Sequence, residues 1–186
     1  EATKVTIDRV VQAVPAVGTL RSNESVIIAP EIAGRVTQLD VKEGEKVAGG
    51  TVIATLDQSV YQAQIAQIQA SLALSKINYQ RASDLLQKNY GTAKSKDEAE
   101  EKLHEDQASL MLAEAQLAKT RLAAPFDGVL GLRKISIGQY LSPGDAIVNL
   151  EQIDPLKVDF RVPEAYFAIV QVGQTIAIDI DALPGK

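Results

Sequence analysis

Two copies of one repeat lie 94 residues apart in this chain, and most of what separates them has the periodicity of a coiled coil. Gly34, Gly44, Gly50 and Leu56 recur as Gly128, Gly138, Gly144 and Leu150, while Val41, Val47 and Ile53 recur as Ile135, Leu141 and Ile147. The copies run from Ala29-Pro30 to Leu56 and from Ala124-Pro125 to Leu150, with about 65 residues of helical pattern between them. A repeat interrupted in this way predicts a small β-domain that carries a long arm. It points away from an active site.

The β reading rests on period and punctuation. From Lys4 to Val26, runs such as Val5-Thr6-Ile7 and Val10-Val11 are interrupted by Pro15, Gly18 and Ser22-Asn23, which predicts two or three strands. In the first copy the apolar positions Val36, Leu39, Val41, Val47 and Val52-Ile53-Ala54 predict about four short strands. Glu43-Gly44-Glu45 and Ala48-Gly49-Gly50 supply the turns, because glycine tolerates positive φ.

At Asp57, a candidate N-cap, the period changes to about 3.5 residues. Tyr61, Ile65, Ile68, Leu72, Ser75, Tyr79, Ala82 and Leu86 alternate spacings of four and three, as a coiled-coil seam requires. Lys88 to Thr92, with Asn89 and Gly91, breaks the pattern. Ser95-Lys96-Asp97-Glu98 reads as a capping box that opens a second helix, whose seam is Ala99, Leu103, Asp106, Leu110, Ala113, Leu117 and Thr120; Pro125 is its expected stop. About 30 residues in the first helix make an arm about 45 Å long, and the short loop forces the two helices antiparallel. With Asp106 in the seam and few large apolar groups, the arm is expected to be modestly stable alone.

After the second copy, Ile153-Asp154-Pro155 introduces an alternating strand, Leu156 to Val162. Pro163-Glu164 then opens a short helix through Val170, Gly173 ends it, and Thr175 to Ile180 reads as another strand. This end of the chain predicts part of a β-barrel. Both ends of the chain, from Glu1 and at Leu183-Pro184-Gly185-Lys186, read as cut from something longer.

Composition excludes several functions. A net charge of -5 argues against binding to a phosphate backbone, which needs clustered Lys and Arg. There is no cysteine, one histidine (His104) and one methionine (Met111), so thiolate chemistry and His- or Met-built metal sites are not expected. Aromatic residues are only 4%, which predicts thin aliphatic cores. No apolar run reaches 18 residues. No phosphate loop, Ser-His-Asp set or HExxH motif occurs, so no catalytic residue, cofactor or metal is expected. The acidic run Asp97-Glu98-Ala99-Glu100-Glu101 suits the positive end of a helix dipole, and His104 reads as an exposed helical residue.

Taken together, the sequence resembles the periplasmic adaptors, or membrane fusion proteins, of tripartite efflux pumps. The resemblance covers nearly the whole chain. It is carried by Ala29-Pro30-Glu31-Ile32-Ala33-Gly34-Arg35-Val36, by Leu56-Asp57 where the hairpin begins, and by the return at Ala124-Pro125-Phe126-Asp127-Gly128. Val158-Asp159-Phe160-Arg161-Val162-Pro163-Glu164 and Val172-Gly173-Gln174 complete it. The fold it implies is mixed α and β, multi-domain and elongated: a lipoyl-like (biotinyl-like) β-sandwich split by an antiparallel α-helical coiled-coil hairpin, plus part of a β-barrel. The implied division is strands of the barrel and membrane-proximal domains at 1–25, the first lipoyl-like half at 26–57, and the hairpin at 58–122. The second half follows at 123–150 and the partial barrel at 151–186.

The resemblance also implies partners: an inner-membrane transporter of the resistance-nodulation-division (RND) class, a TolC-like outer-membrane channel, and further copies of the chain in a ring. The protein would be periplasmic, anchored to the inner membrane of a Gram-negative bacterium through segments outside this chain. In RND adaptors the hairpin tip carries an Arg-x3-Leu-x6-Ser pattern that docks onto the channel. Here the matching residues are Arg81, Leu85 and, without a gap, Thr92, with Ser95 three residues on as a second candidate hydroxyl. Leu86 belongs to the seam, so Leu85 faces outward beside Arg81. Two other readings stay open. An adaptor of an ABC-type exporter or type I secretion system shares the architecture. A biotin or lipoyl carrier shares the sandwich but needs a lysine at a tight turn between the halves, where this chain has the helical arm.

Overall fold

In the computed structural model, which describes residues 14–179, the two copies of the repeat build one β-sandwich by exchanging strands. The first copy contributes β2 (Gly34–Leu39), β3 (Lys46–Val47) and β4 (Val52–Leu56), preceded by β1 (Gly18–Ile28). Helices α1 (Ser59–Gln87) and α2 (Ala93–Ala118) follow. The second copy then supplies β5 (Arg121–Ala123), β6 (Gly128–Leu130), β7 (Tyr140–Leu141) and the start of β8 (Val148–Phe160). One sheet has the order β5-β4-β2-β7 and the other β1-β8-β6-β3. Thus β7 of the second copy pairs with β2 of the first, Gly34 opposite Leu141, while β3 of the first pairs with β6 of the second, Val47 opposite Gly128.

This exchange follows a two-fold relation that the backbone obeys bond by bond. The Gly44 amide donates to the Leu130 carbonyl at 2.9 Å, and the Gly138 amide donates to the Val36 carbonyl at 2.8 Å. Likewise Gly50 donates to Ala124 at 2.8 Å and Gly144 to Pro30 at 2.9 Å. The four glycines have φ between +75° and +88°, the left-handed region that only glycine enters cheaply. Gly34 and Gly128 are required for a different reason. A Cβ on Gly34 would meet Leu56 at 3.2 Å, and one on Gly128 would meet Leu150 at 2.9 Å and the Glu151 carbonyl at 2.7 Å.

The same relation organises the core. Ile28 and Leu122, Val36 and Leu130, Val47 and Leu141, Ile53 and Ile147, Ala54 and Val148, and Leu56 and Leu150 are all buried. Every member is aliphatic, and Phe126 packs against them from the edge. Burying each large aliphatic side chain contributes about 1.5–3 kcal/mol, so the paired positions supply most of the drive for the sandwich.

The hairpin seam reads out residue for residue. Tyr61, Ile65, Ile68, Leu72, Ser75, Tyr79, Ala82 and Leu86 are buried or half-buried, and so are Ala99, Leu103, Asp106, Leu110, Ala113, Leu117 and Thr120. Asp106 is 6% exposed at mid-arm. Its carboxylate accepts from the Ser71 hydroxyl at 3.0 Å and pairs with Lys102 Nζ at 3.1 Å. Burial works against its ionisation, but hydrogen bonds from Lys102, Ser75 and Ser71 outweigh burial and hold the carboxyl below its usual value. A carboxyl lowered in the folded state gives stability that is present above its unfolded pKa and is lost as pH falls through the folded one. The far-UV helical signal of the arm is therefore expected to weaken below about pH 4. Asp106→Leu should remove that dependence, as circular dichroism against pH would show.

Local signals were displaced in several places. The N-cap position of α1 is Gln58, not Asp57, although the Asp57 carboxylate still accepts the Ser59 amide at 2.9 Å, a bond that keeps its pKa low. Helix α2 is capped by Thr92, not Ser95: Thr92 Oγ1 accepts the Ser95 amide at 3.1 Å, which puts Ser95 in the first turn. The acidic run consequently begins in the second turn, and no carboxylate lies in the first. Lys94 with Glu98 and Lys96 with Glu100 account for part of it. The helix ends at Ala118, before Pro125, because the chain enters β5.

The strand predictions need similar correction. Ser22-Asn23 lies inside β1 rather than breaking it, and the predicted strands at Val5–Ile7 and Val10-Val11 fall outside the described residues. The first copy forms three strands between Gly34 and Leu56, not four. Asp154-Pro155 lies within the continuous strand β8, with a cis peptide bond. The helix expected from Pro163 to Val170 is a single 3-10 turn, Glu164–Tyr166, and residues 175–179 form no strand; Ile180 lies outside the described residues.

Ser22–Pro155 forms one compact unit, the sandwich with its hairpin. Among the described residues, 14–21 and 156–179 form a second unit. Within it Arg21 pairs with Asp159 at 3.1 Å, and Gly18 lies so close to β8 that a Cβ would stand 3.0 Å from the Asp159 carbonyl. Among the described residues no helix is long and apolar enough to cross a membrane.

Candidate functional site

The tip of the hairpin is built by how α1 ends. The Leu85 carbonyl accepts two amides, Tyr90 at 2.9 Å and Gly91 at 3.0 Å, while Lys88 bonds back to Asp84 and Asn89 to Leu86. Asn89 takes the left-handed conformation at φ 60°, which asparagine tolerates better than most residues. Gly91 then folds back on the helix end so closely that a Cβ would lie 2.9 Å from the Leu86 nitrogen. Thr92, extended at φ -110° and ψ 150°, starts α2 at once.

This geometry fixes the four candidate residues. Arg81 and Leu85 are one helical turn apart, so they share a face, and both are exposed. The nearest acid on α1, Asp84, is engaged by Gln80 Nε2 at 2.9 Å, and Arg81 has no hydrogen-bond or ion-pair partner among the described residues. Its guanidinium keeps five donors for another surface. Leu85 is 42% exposed. Across the loop, Thr92 caps α2 and Ser95 lies in its first turn, the two joined by the cap bond. The Thr92 hydroxyl therefore already has one structural task.

Sequence reasoning missed Tyr90. It stands 84% exposed between Asn89 and Gly91 at the extremity of the loop. An aromatic ring that the chain leaves in water at a loop tip is a contact candidate, and its position in the five-residue break was the available signal. Leu74 and Ile77, 60% and 55% exposed, continue the outward face of α1 below Arg81 at helical spacing. Near the tip the two helices are held by Lys96, whose Nζ lies 5.7 Å from the centre of the Tyr79 ring and 3.0 Å from Glu100. The hydrogen bond that Lys96 donates to Glu100 raises the pKa of Lys96, so the contact stays charged at neutral pH.

Residues 24–151 match the family described as "RND MFP, barrel-sandwich hybrid domain". The chain belongs to this family of membrane fusion proteins. Multidrug resistance protein MdtA of Klebsiella pneumoniae is 30% identical to it over 190 residues, covering 94% of this chain and 46% of the relative. An uncharacterized protein of Haemophilus influenzae is 32% identical over 169 residues, 91% of this chain and 44% of that protein. The chain thus spans under half the length of these relatives. A solved MacA-MexA chimeric protein containing the Pseudomonas aeruginosa MexA α-hairpin domain aligns with a TM-score of 0.76 at 22% identity, over 86% of this chain and 59% of the chimera. The membrane fusion protein fold, a lipoyl-like sandwich interrupted by a helical hairpin, is therefore shared with that structure.

Proposed function

We propose that this chain is the sandwich-and-arm portion of a non-enzymatic periplasmic adaptor. It bridges an inner-membrane RND transporter and a TolC-like outer-membrane channel, in a conduit for drugs or other small molecules. The observation that carries the reading is the tip: an Arg81 with no partner among the described residues and an outward Leu85 one turn apart, at the end of a helix about 43 Å long. An arm of that kind suits reach and recognition and offers no place for catalysis. The family match and the multidrug-resistance name of its relatives support the same reading. In it, 26–57 and 123–150 are the lipoyl-like halves, 58–122 the arm, 1–25 strands of the barrel and membrane-proximal domains, and 151–186 part of the barrel. Copies associate in a ring, and anchoring to the inner membrane comes from segments outside this chain.

The full-length protein should restore drug resistance to a strain lacking it and should be captured by the purified channel. Failure of both refutes the reading. Capture with an ATP-driven exporter in place of an RND transporter would move it to the ABC class. The docking hydroxyl is resolved by substitutions that respect the cap. Thr92→Ala removes an N-cap worth about 1 kcal/mol, so it changes the helix as well as the surface. Thr92→Asn keeps a capping oxygen and removes the hydroxyl. We expect Thr92→Asn to lower channel capture and Ser95→Ala to leave it unchanged, both with wild-type helix content. The reverse result would assign docking to Ser95.

A further inference from the structure

At the root of the arm, a single buried hydroxyl joins both helices to the sandwich. Strands β4 and β5 pair through Thr55 and Arg121, and the Leu56 amide extends that ladder by donating to the Thr120 carbonyl at 2.9 Å. Beyond this point only Asp57-Gln58 on one side and Lys119-Thr120 on the other connect sheet to helix. Thr120 is fully buried. Its hydroxyl donates to the Leu117 carbonyl at the end of α2 at 2.6 Å and accepts from Gln58 Nε2, at the start of α1, at 2.7 Å. Gln58 in turn accepts from Gln62 Nε2, one turn into α1, at 3.3 Å. The relay uses the one proton and a lone pair of the hydroxyl, so its direction is fixed by chemistry.

We infer that Thr120 is a positioning residue, and that with Gln58 it clamps the direction in which the arm leaves the sandwich. Backbone bonds already fix the ends of both connections, the Asp57 amide to the Arg35 carbonyl at 2.8 Å and the Thr120 amide to the Leu117 carbonyl at 3.0 Å, so a swing of the arm would run through the few torsions around Gln58 and Lys119, and a hinge needs only a few such residues. The other side-chain tie at the root is weaker: Lys119 Nζ pairs with Glu31 at 2.8 Å, but both groups are about half or more exposed and screened by water. Leverage makes the clamp matter. On an arm about 43 Å long, a tilt of about 10° at the root moves the tip by about 7 Å. That displacement exceeds the reach of any hydrogen bond Arg81 could make. The link to docking rests on the adaptor reading, but the clamp itself does not.

The test uses the full chain without partners, so it answers for the clamp whatever the arm docks onto. The chain has no cysteine, which allows clean spin-labelling at Gln38→Cys on exposed β2 and Lys88→Cys at the end of α1. Thr120→Val, which keeps the shape and removes the hydroxyl, should widen the label-to-label distance distribution about twofold while the helical content stays at its wild-type value. Thr120→Ser should restore the narrow distribution. If Thr120→Val does not fold, Gln58→Leu, which removes the other partner at a half-exposed position, should widen the distribution alike. Distributions as narrow as wild type in every folded variant would overturn the clamp, as would widening that appears only together with loss of helix.

Discussion

Truncating Leu150 to alanine should cost about 2–5 kcal/mol, a large part of the stability available to a domain of this size, and Leu56→Ala should cost a similar amount. The two are mates in the repeat, 0% and 1% exposed, and each packs against the glycine that opens the partner strand of its own copy. Neither site can collapse easily, because Gly34 and Gly128 already bring backbone up to these side chains. Urea denaturation followed in the far-UV would measure both losses. The helical signal should disappear in the same transition, since α1 and α2 are rooted in β4 and β5. Two midpoints close to wild type would contradict a core organised by the two-fold relation.

Charge reversal at the tip should have the largest functional effect. Arg81→Asp replaces an unpaired guanidinium with a carboxylate on an otherwise open face, three residues from Asp84. A docking surface that accepts hydrogen bonds from Arg81 would then meet a group that cannot donate them and that carries the wrong charge. Loss of the desolvated partner of such a contact costs about 2–5 kcal/mol, a fall in capture by the channel of roughly 30-fold or more. Drug resistance conferred by the full-length protein should fall in parallel, with thermal stability unchanged, because Arg81 supports nothing else among the described residues. Wild-type capture by Arg81→Asp would remove Arg81 from the interface.

The arm was legible because a heptad seam is local: each seam position depends on neighbours three and four residues away. Every predicted seam residue is accordingly buried or half-buried, including the polar Ser75 and Asp106. The repeat was legible as well, since it recurs at a fixed offset, but sequence could not show that β3 and β7 change partners. That exchange depends on contacts across the full separation of the copies. The cap of α2 was misread because Ser95 and Glu98 have the spacing of a capping box. What decides the cap is Gly91, whose close return to the end of α1 lets α2 start three residues earlier. Beyond Leu150, expected breaks at Pro155 and a longer helix after Pro163 rested on single residues, and the strand continued through one while the helix shrank to a turn at the other. At the tip, Arg81 and Leu85 are placed on one face as the spacing required, whereas Tyr90 escaped notice because a loop residue has no periodicity to betray it.

The exchange of strands has a consequence for how the chain reaches its native state. Neither copy of the repeat can complete a sheet until the other has been made, so the sandwich is a fold of high contact order and should form late. The helices are its remedy. An antiparallel pair needs only neighbouring residues to form, and once zipped it holds Gln58 beside Thr120 although 62 positions separate them in sequence. The entropy of closing that loop is then spent before the strands meet, and β4 and β5 find each other as if joined by a short turn. The arm that extends the finished protein outward thus also serves, during folding, as the splint that draws its two halves together.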